Sequence, residues 1–376
     1  MISLLIGWIF GRWTRPRKKD KKQASTVTQY SESYARGLNF LLTDQSDKAI
    51  NAFTELVAVD RDTVEIHVTL GNLFRSNGEV DRAIKIHQNL LARPNLTRPQ
   101  RNMAIAELAS DYMKAGLHDR AEKLYREMTK IKGEGLVAYQ RLLDLYIAEK
   151  SWYEACECAQ VLYSRGEPDS SLILSHCHCE IASTALASGN IKLARANLNK
   201  AREIDQNCVR AGLLLIELYL NTDDYSAARK LLQQLIKQNP EYIVLYIEPA
   251  KSIYLHKREY KVYQNFLEHQ YQQNPSNRLA IALLEHFTNN NQIEKARDFL
   301  EQILRKSPSF EAFDFALRFL KSEPEQLSET WKSLSEFLKN MQNRKIEYTC
   351  SNCGYGSHAI QWNCPSCNSW STMKAV

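Results

Sequence analysis

The feature that most constrains this chain is an internal repeat of about 34 residues. A small residue that follows a turn and precedes an apolar helical stripe recurs at eight anchor positions: Ala49, Ala83, Ala121, Ala155, Ala194, Ala228, Val262 and Ala296. Five of the seven intervals between anchors are 34 residues long, and the other two are longer by four and five residues. The longer intervals contain Pro94 and Pro99, and Gly166 and Pro168, which favour loops.

Two further positions keep the same phase. Twelve residues before the anchors stand residues suited to close helix contact: Gly37, Gly71, Ala109, Leu143, Ala182, Ile216, Ala250 and Leu284. Four residues after the anchors stand mostly apolar residues: Phe53, His87, Tyr125, Ala159, Leu198, Leu232, Phe266 and Leu300. This period is that of the tetratricopeptide repeat, a helix pair that buries its apolar face only by stacking on a neighbour.

The chain is therefore predicted to be all-α over residues 30–321, as a superhelical solenoid of about eight tetratricopeptide repeats. Stacked first helices should form a concave groove that binds partners. We expect looser packing in the seventh repeat, where Val262 replaces the small anchor and Pro249 lies early in the first helix. Residues 322–345 are predicted to form a capping and connecting helix that begins near Pro324. Its apolar stripe, interpreted as core packing rather than partner binding, is Leu327, Trp331, Leu334, Leu338 and Met341.

The positive charge of the chain is concentrated near its amino terminus. The net charge is +6, and one short segment accounts for all of it. That segment holds the acid Asp20 and seven basic residues: Arg12, Arg15, Arg17, Lys18, Lys19, Lys21 and Lys22. The rest of the chain has equal numbers of basic and acidic residues, so it lacks the overall basic character expected of a nucleic-acid-binding protein.

Residues 1–13, MISLLIGWIFGRW, are predicted to be an N-terminal membrane anchor, and residues 14–29 a basic juxtamembrane linker. Basic residues that follow an apolar stretch place that side in the cytoplasm and attract anionic lipid headgroups. A signal peptide would carry its charges before the apolar core. A helix buried in the body of the protein is also disfavoured, because the basic linker follows the apolar segment too closely for that segment to enter a core. A spanning helix needs about 20 apolar residues, so the segment either begins further upstream or enters only one leaflet.

Four cysteines near the carboxyl terminus have the spacing of a metal site. They are Cys350, Cys353, Cys364 and Cys367, in two Cys-x-x-Cys pairs separated by ten residues. Two such turns can close a tetrahedral site of four sulfurs, which suits zinc or iron equally. Gly354 and Asn368 follow the pairs and tolerate the left-handed backbone that these turns need. We predict a rubredoxin-like metal knuckle over residues 346–376; two disulfides are the alternative, disfavoured in a reducing cytoplasm.

The other cysteines are interpreted as buried structural residues. They are Cys156, Cys158, Cys177, Cys179 and Cys208, with His176 and His178 beside the second pair. Helical residues two apart point about 200° apart, so neither Cys-x-Cys pair can converge on one metal. The sequence carries no His-Glu-x-x-His, no G-x-S-x-G and no Gly-rich phosphate loop. We therefore predict a binding protein rather than an enzyme.

Anchor, repeat array and metal knuckle, in this order, resemble the lipopolysaccharide assembly protein B family of Gram-negative bacteria. The resemblance covers essentially the whole chain and is most specific in NFLLTDQSDKAINAF, TLGNLFRSNGEVDRAIKIHQ, DYMKAGLHDRAE and WNCPSCNSWST. The chain departs from the family at its start, where the apolar part before GWIFGR is about a turn or two shorter.

The resemblance implies an inner-membrane protein whose body is cytoplasmic. It implies an adaptor that promotes degradation of the deacetylase LpxC by the membrane protease FtsH, limits lipid A synthesis and gathers other lipopolysaccharide proteins at the membrane. It also implies that the four knuckle cysteines hold one metal ion, which is iron in the family.

Two other functions remain open at this point. One is a one-electron carrier, in which a rubredoxin-like iron site is fused to a repeat scaffold. The other is a co-chaperone that grips the carboxylate of a peptide terminus. That mode needs Asn in the first repeat and basic residues in the third, where this chain has Leu38, Met103, Ala106 and Glu107. Candidate partner contacts in the best-matched repeat are Asn72, Arg75 and Arg82, although an exposed Arg is more often only solvated.

Overall fold

The computed structural model describes residues 35–37, 39–40, 43, 45–59, 63–131, 133, 135–306, 309–320 and 346–375. The predicted anchor (1–13), basic linker (14–29) and capping helix (322–345) lie outside these residues. Within them the chain is a helical repeat array followed by a small β-ribbon. None of the described helices combines the length and apolar character that crossing a membrane requires. The chain divides into two compact units, unit 1 up to Ser151 and unit 2 from Trp152 onward.

The helices of unit 1 alternate as first and second helices of successive repeats. They are α1 (Ser46–Val59), α2 (Val64–Ser76), α3 (Val80–Leu91), α4 (Arg98–Lys114), α5 (His118–Met128) and α6 (Gly135–Glu149). The second helices α1, α3 and α5 each begin three residues before an anchor, at Ala49, Ala83 and Ala121, and these alanines are fully buried.

Unit 2 continues the same alternation and ends in the ribbon. Its helices are α7 (Trp152–Ser164), α8 (Ser170–Ala187), α9 (Ile191–Ile204), α10 (Val209–Asn221), α11 (Tyr225–Gln238), α12 (Ile243–His256), α13 (Tyr260–Gln273), α14 (Asn277–Asn289), α15 (Ile293–Lys306) and α16 (Phe310–Leu320). A 3-10 turn, Pro240–Tyr242, precedes α12. The ribbon consists of β1 (Tyr348–Cys350), β2 (Gly356–Ser357) and β3 (Met373–Ala375). One continuous apolar core runs through unit 2 from Cys179 to Ala296.

The repeat pattern explains why some positions must be small. At Gly71 of α2, a Cβ atom would lie only 2.4 Å from Nε2 of His87 on α3. The same relation holds between Gly37 and Phe53, where a Cβ atom would meet the ring at 2.9 Å. In these two repeats the residue twelve before the anchor therefore lies against the residue four after it, which is the close helix contact expected at that position.

The anchor predicted in the seventh repeat, Val262, is wrong by one residue. Val262 is 42% exposed, whereas Tyr263 is 2% exposed and stands three residues after the start of α13, as an anchor does. Likewise Leu267, and not Phe266, is the buried residue one turn further on.

A left-handed turn residue confirms this corrected register. In each described turn from a first to a second helix, such a residue lies five positions before the anchor: Gly78, Gly116, Lys150, Gly189, Asp223, Arg258 and Asn291. Arg258 stands in this relation to Tyr263 and not to Val262. The physical reason is one additional residue between Ala250 and the turn: Arg258 follows Ala250 by eight positions, whereas in the other described turns the left-handed residue follows the equivalent position by seven.

Candidate metal centre and candidate partner groove

The metal centre is built on the short ribbon that follows the array. Strand β1 pairs antiparallel with β2 on one side and with β3 on the other, so that Tyr348 is opposite both Ser357 and Ala375. This pairing fixes Cys350, the last residue of β1, opposite Met373.

The two Cys-x-x-Cys turns have matching hydrogen bonds. The Gly354 amide donates to the Cys350 carbonyl at 2.9 Å, and the Asn368 amide donates to the Cys364 carbonyl at 2.8 Å. Gly354 and Asn368 have φ values of +77° and +56°, so the left-handed conformation expected from the sequence is confirmed at both. Only glycine and a few short polar residues adopt this conformation at low cost. These turns bring the two sulfurs of each pair within 4.8 Å of each other.

The four sulfurs come together in one cluster. Sγ of Cys350 is 3.7 Å from Sγ of Cys367, Sγ of Cys353 is 3.7 Å from Sγ of Cys364, and all four lie within 4.8 Å of one another. A tetrahedral site with metal–sulfur bonds of about 2.3 Å has edges of about 3.8 Å. The donor set therefore fits one zinc or iron ion, which would clamp the two turns together.

Local hydrogen bonds favour the thiolate form at two of the four cysteines, Cys350 and Cys367. Hydrogen bonding with Ser369 lowers the pKa of the Cys367 thiol to about 6, and Thr372 lowers the pKa of Cys350. The thiolate is the form that binds metal. The Tyr355 backbone lowers the pKa of Cys353, but burial and the neighbouring thiols outweigh it and raise that pKa to about 11. A bound cation would favour the thiolate at all four positions.

The ribbon is docked on first helices of unit 2, and His176 of α8 is the centre of this contact. The His176 ring is fully buried and stacks on Trp370, with ring centroids 4.7 Å apart and planes inclined by 24°. Its Nε2 lies 2.7 Å from Oγ of Ser371. The Trp362 ring is a second aromatic neighbour, with its centroid 6.1 Å from that of His176. Burial and the charge of Arg210 lower the pKa of His176 to about 3, so the ring is neutral at physiological pH.

Two more first helices complete the docking surface. Tyr242, immediately before α12, donates its hydroxyl to the Ser371 carbonyl at 3.2 Å. Leu245 of α12 packs against the apolar cluster that includes Tyr348. Arg278 of α14 forms an ion pair with Glu347 of the ribbon. Sequence reasoning missed this surface, because nothing local to His176 indicates which distant segment covers it.

Four of the five array cysteines are buried as predicted, and Cys156 differs. Cys158, Cys177, Cys179 and Cys208 are buried, and Sγ of Cys179 lies 3.8 Å from Sγ of Cys208. Cys156 is partly exposed in a groove between α7 and α9.

Sequence reasoning also missed the polar partners of Cys156. Its Sγ lies 3.5 Å from Nε2 of His178, whose Nδ1 lies 2.9 Å from Oδ1 of Asn197. Burial raises the pKa of Cys156 and lowers that of His178, so this pair is a neutral thiol and a neutral imidazole.

A groove of about 580 Å³ lies along the first helices α2, α4 and α6 of unit 1. Its lining residues are Asn72, Arg75, Ser76, Ser110, Met113, Lys114, Tyr125, Arg141 and Asp144. Two of the three predicted partner contacts, Asn72 and Arg75, line this groove. Arg82 does not line it: it lies exposed on α3, above the Phe74 ring and paired with Glu79 at 2.6 Å.

Arg75 belongs to a network of ion pairs and hydrogen bonds inside unit 1. Its guanidinium donates to Asp111 at 2.9 Å and to the carboxylate of Glu107 at 2.7 Å, both on α4. The second oxygen of Asp111 lies 2.6 Å from Nδ1 of His87, and both of these side chains are fully buried. Arg75 therefore joins the second and third repeats, and its charge is largely compensated within the protein.

Comparisons with known proteins agree with the two parts of this fold. The family of rubredoxin metal binding domains matches residues 348–375, and tetratricopeptide repeat families match residues 34–95 and 185–245. A PPR repeat family matches residues 108–132.

Two curated relatives match over the whole chain. The chain is 31% identical over 377 residues to lipopolysaccharide assembly protein B of Escherichia coli (strain K12), covering 100% of this chain and 96% of that protein. It is 34% identical over 388 residues to the protein of the same name from Haemophilus influenzae, with the same coverage. Among solved structures, that of Naa15/Naa10 bound to HypK-THB has a TM-score of 0.46 at 13% identity, over 84% of this chain and 47% of that one.

Proposed function

Because the chain belongs to the lipopolysaccharide assembly protein B family, we propose that it is a non-enzymatic adaptor in lipopolysaccharide assembly. Its partners in this proposal are the membrane protease FtsH and the deacetylase LpxC, whose degradation it promotes at the cytoplasmic face of the inner membrane. By shortening the lifetime of LpxC, it would limit the synthesis of lipid A. Other lipopolysaccharide proteins would be gathered on the same scaffold.

Each part of the chain has a role in this proposal. Residues 1–13 and the basic linker hold the body at the inner membrane, where FtsH resides. The repeat array supplies binding surfaces for partners. The ribbon, with Cys350, Cys353, Cys364 and Cys367 as ligands of one iron or zinc ion, supplies a rigid module. Four protein sulfurs would fill a tetrahedral site and leave no open position for hydrolysis.

The observation that carries the proposal is the docking of the ribbon on the first helices of unit 2. His176 of α8, Tyr242 immediately before α12 and Arg278 of α14 each contact the ribbon. An adaptor needs such a fixed relation between modules, because two partners bound to it must meet in one geometry. A freely diffusing electron carrier has no such requirement.

The proposal is tested by deleting the predicted membrane anchor from the chain. A chain that starts at Thr26 lacks the apolar segment and all seven basic residues that follow it, so it should be released from the membrane and fail to shorten the half-life of LpxC. The measurement is LpxC decay after synthesis is blocked, in cells that carry the truncated or the full chain at native level. LpxC turnover at the full rate with the truncated chain would contradict the tethered adaptor.

The choice of metal separates the adaptor from the one-electron carrier. An adaptor uses only the shape of the ribbon, so protein loaded with zinc and protein loaded with iron should support the same LpxC turnover. Loss of turnover in the zinc form alone would favour redox chemistry, because zinc has no accessible second oxidation state.

A further inference from the structure

Two cysteines of the array have their sulfur atoms in contact inside unit 2. Sγ of Cys179 lies 3.8 Å from Sγ of Cys208. Cys179 is in the middle of α8, and Cys208 immediately precedes α10, which is the first helix of the next repeat. Both residues belong to the apolar core of unit 2, where they are 0% and 3% exposed. The two thiols therefore meet across the boundary between adjacent repeats.

Their surroundings make the two sulfurs chemically unequal. Hydrogen bonding from the Cys179 thiol, the Ala211 amide and the Ser175 hydroxyl lowers the pKa of the Cys208 thiol in spite of its burial. Hydrogen bonding to Cys208, together with burial, raises the pKa of Cys179. The thiolate is the nucleophilic form of cysteine. Cys208 is therefore the sulfur of this pair that is favoured as the attacking group, and Cys179 is the sulfur that keeps its proton.

Cys208 also lies closer to solvent than Cys179. It directly follows Gln206 and Asn207, two exposed residues in the turn between α9 and α10. Hydrogen peroxide is scarcely larger than water, so a small local opening of this turn would admit it to the Cys208 sulfur. Cys179 is reached only through the body of α8. Position and chemistry thus favour the same order of reaction, with Cys208 first.

We propose that Cys179 and Cys208 are a redox-active pair that closes a reversible disulfide between two adjacent repeats when the protein meets a peroxide. The Cys208 thiolate attacks one peroxide oxygen, the O–O bond breaks, and the hydroxide that leaves takes up the proton lost by the Cys208 thiol. The sulfur of Cys179 then attacks the resulting sulfenic acid, and the hydroxyl group leaves as water with the Cys179 proton. Two thiols are oxidised by two electrons, and one peroxide is reduced to two waters.

Such a bond is compatible with a reducing compartment, because the disulfides that form there are usually transient and redox-sensing. A disulfide is about 2.05 Å long, so both side chains must rotate toward each other to close it. The bond would tie the middle of α8 to the start of α10 and enclose α9 in a covalent loop. Loop closure restricts local unfolding, so α9 should become more rigid. This inference goes beyond the proposed adaptor function and does not depend on it.

The experiment uses the full chain in lipid nanodiscs, loaded with zinc so that the metal itself cannot be oxidised. The protein is treated with hydrogen peroxide, its free thiols are blocked with N-ethylmaleimide, and it is digested with trypsin without reductant. Cys179 lies in the tryptic peptide 166–192 and Cys208 in the peptide 203–210. These peptides should appear linked with the loss of two hydrogen atoms, and dithiothreitol should separate them. Hydrogen exchange of the α9 amides should slow by about tenfold or more in the oxidised protein.

Cys177 lies in the same tryptic peptide as Cys179, so variants decide which thiol takes part. Cys179→Ser should abolish the linked peptide and leave Cys208 as a sulfenic acid, which dimedone traps. Cys177→Ser is the matched control, because it also removes a buried thiol from α8 and should link at the wild-type rate. Circular dichroism verifies that both variants keep the helical array.

Three results would overturn the inference. The first is no linked peptide from the wild type at a peroxide concentration that oxidises Cys156, which is partly exposed. The second is a linked peptide that forms equally well in Cys179→Ser. The third is a link that forms only after the protein has been unfolded, because the native contact between the two sulfurs would then play no part.

Discussion

His176 of α8 and Trp370 of the ribbon stack with ring centroids 4.7 Å apart, although they are almost 200 residues apart in the sequence. The stack is buried, and a hydrogen bond between the histidine and Ser371 accompanies it. This contact makes the ribbon part of unit 2 rather than a free appendage.

Removing the ring should loosen the ribbon without unfolding the array. His176→Ala deletes the stack and the hydrogen bond and leaves a cavity, and we expect a loss of about 2–4 kcal/mol in the free energy of docking. Hydrogen exchange over residues 346–375 should accelerate, while α10 and α11 keep their protection. His256→Ala, which removes an exposed ring outside the contact, is the control. Unchanged exchange in the ribbon would show that the stack contributes little.

The same histidine predicts a dependence of docking on pH. The pKa of His176 is lowered from 6.5 to about 3 by burial, so the docked state requires the neutral ring. Its contribution is complete above pH 6.5 and is lost as the pH falls toward 3, by at most about 1.4 kcal/mol per pH unit.

Substitution isolates this histidine from other titrating groups. His176→Phe keeps an aromatic ring but cannot be protonated, so this component of the pH dependence should disappear. The measurement is thermal unfolding between about pH 7 and pH 5, with metal content followed in the same samples. An equal slope in wild type and His176→Phe would contradict the assignment.

The corrected repeat register gives a matched pair of substitutions. Ala121→Trp inserts a large ring at a fully buried anchor, and overpacking typically costs about 1–3 kcal/mol. Val262→Trp introduces the same ring at the position that the sequence alone suggests as an anchor but that is exposed, so we expect an effect within about 0.5 kcal/mol. Chemical denaturation measures both. Equal destabilisation by the two variants would argue for the register with Val262 as anchor.

Cys156 should be the first of the five array cysteines to react with iodoacetamide. It is partly exposed, whereas Cys158, Cys177, Cys179 and Cys208 are buried. Because burial raises the pKa of Cys156, its alkylation should be slow at neutral pH and should rise about tenfold per pH unit to beyond pH 9. Peptide mass spectrometry on the metal-loaded protein follows each thiol. Earlier reaction of Cys208 would contradict this order.

Much of the fold follows from sequence because its determinants are local and periodic. The period of about 34 residues predicts the helix pairs, and the buried alanines at seven anchors confirm it. The Cys-x-x-Cys spacing predicts the clustered sulfurs, and Gly354 and Asn368 have the expected left-handed backbone. Each of these signals is contained within a few residues or one repeat.

The features that sequence reasoning missed depend on distant contacts or on a single residue. One additional residue between Ala250 and the turn at Arg258 shifts the anchor from Val262 to Tyr263. Spacing alone does not reveal a shift that the next repeat cancels. The docking of Trp370 on His176 joins segments that share no periodic pattern. The contact between Cys156 and His178 requires two helices to be placed side by side before it can be seen.

The most direct test of the adaptor account is the half-life of LpxC in cells that carry Cys364→Ser in place of the wild-type chain. Loss of one ligand should release the metal and unfold the ribbon, while circular dichroism shows that the array, which has its own core, keeps its helices. The account predicts that LpxC then persists as long as in cells that lack the chain. Normal LpxC turnover with the metal-free variant, at native expression and in the membrane fraction, would contradict it.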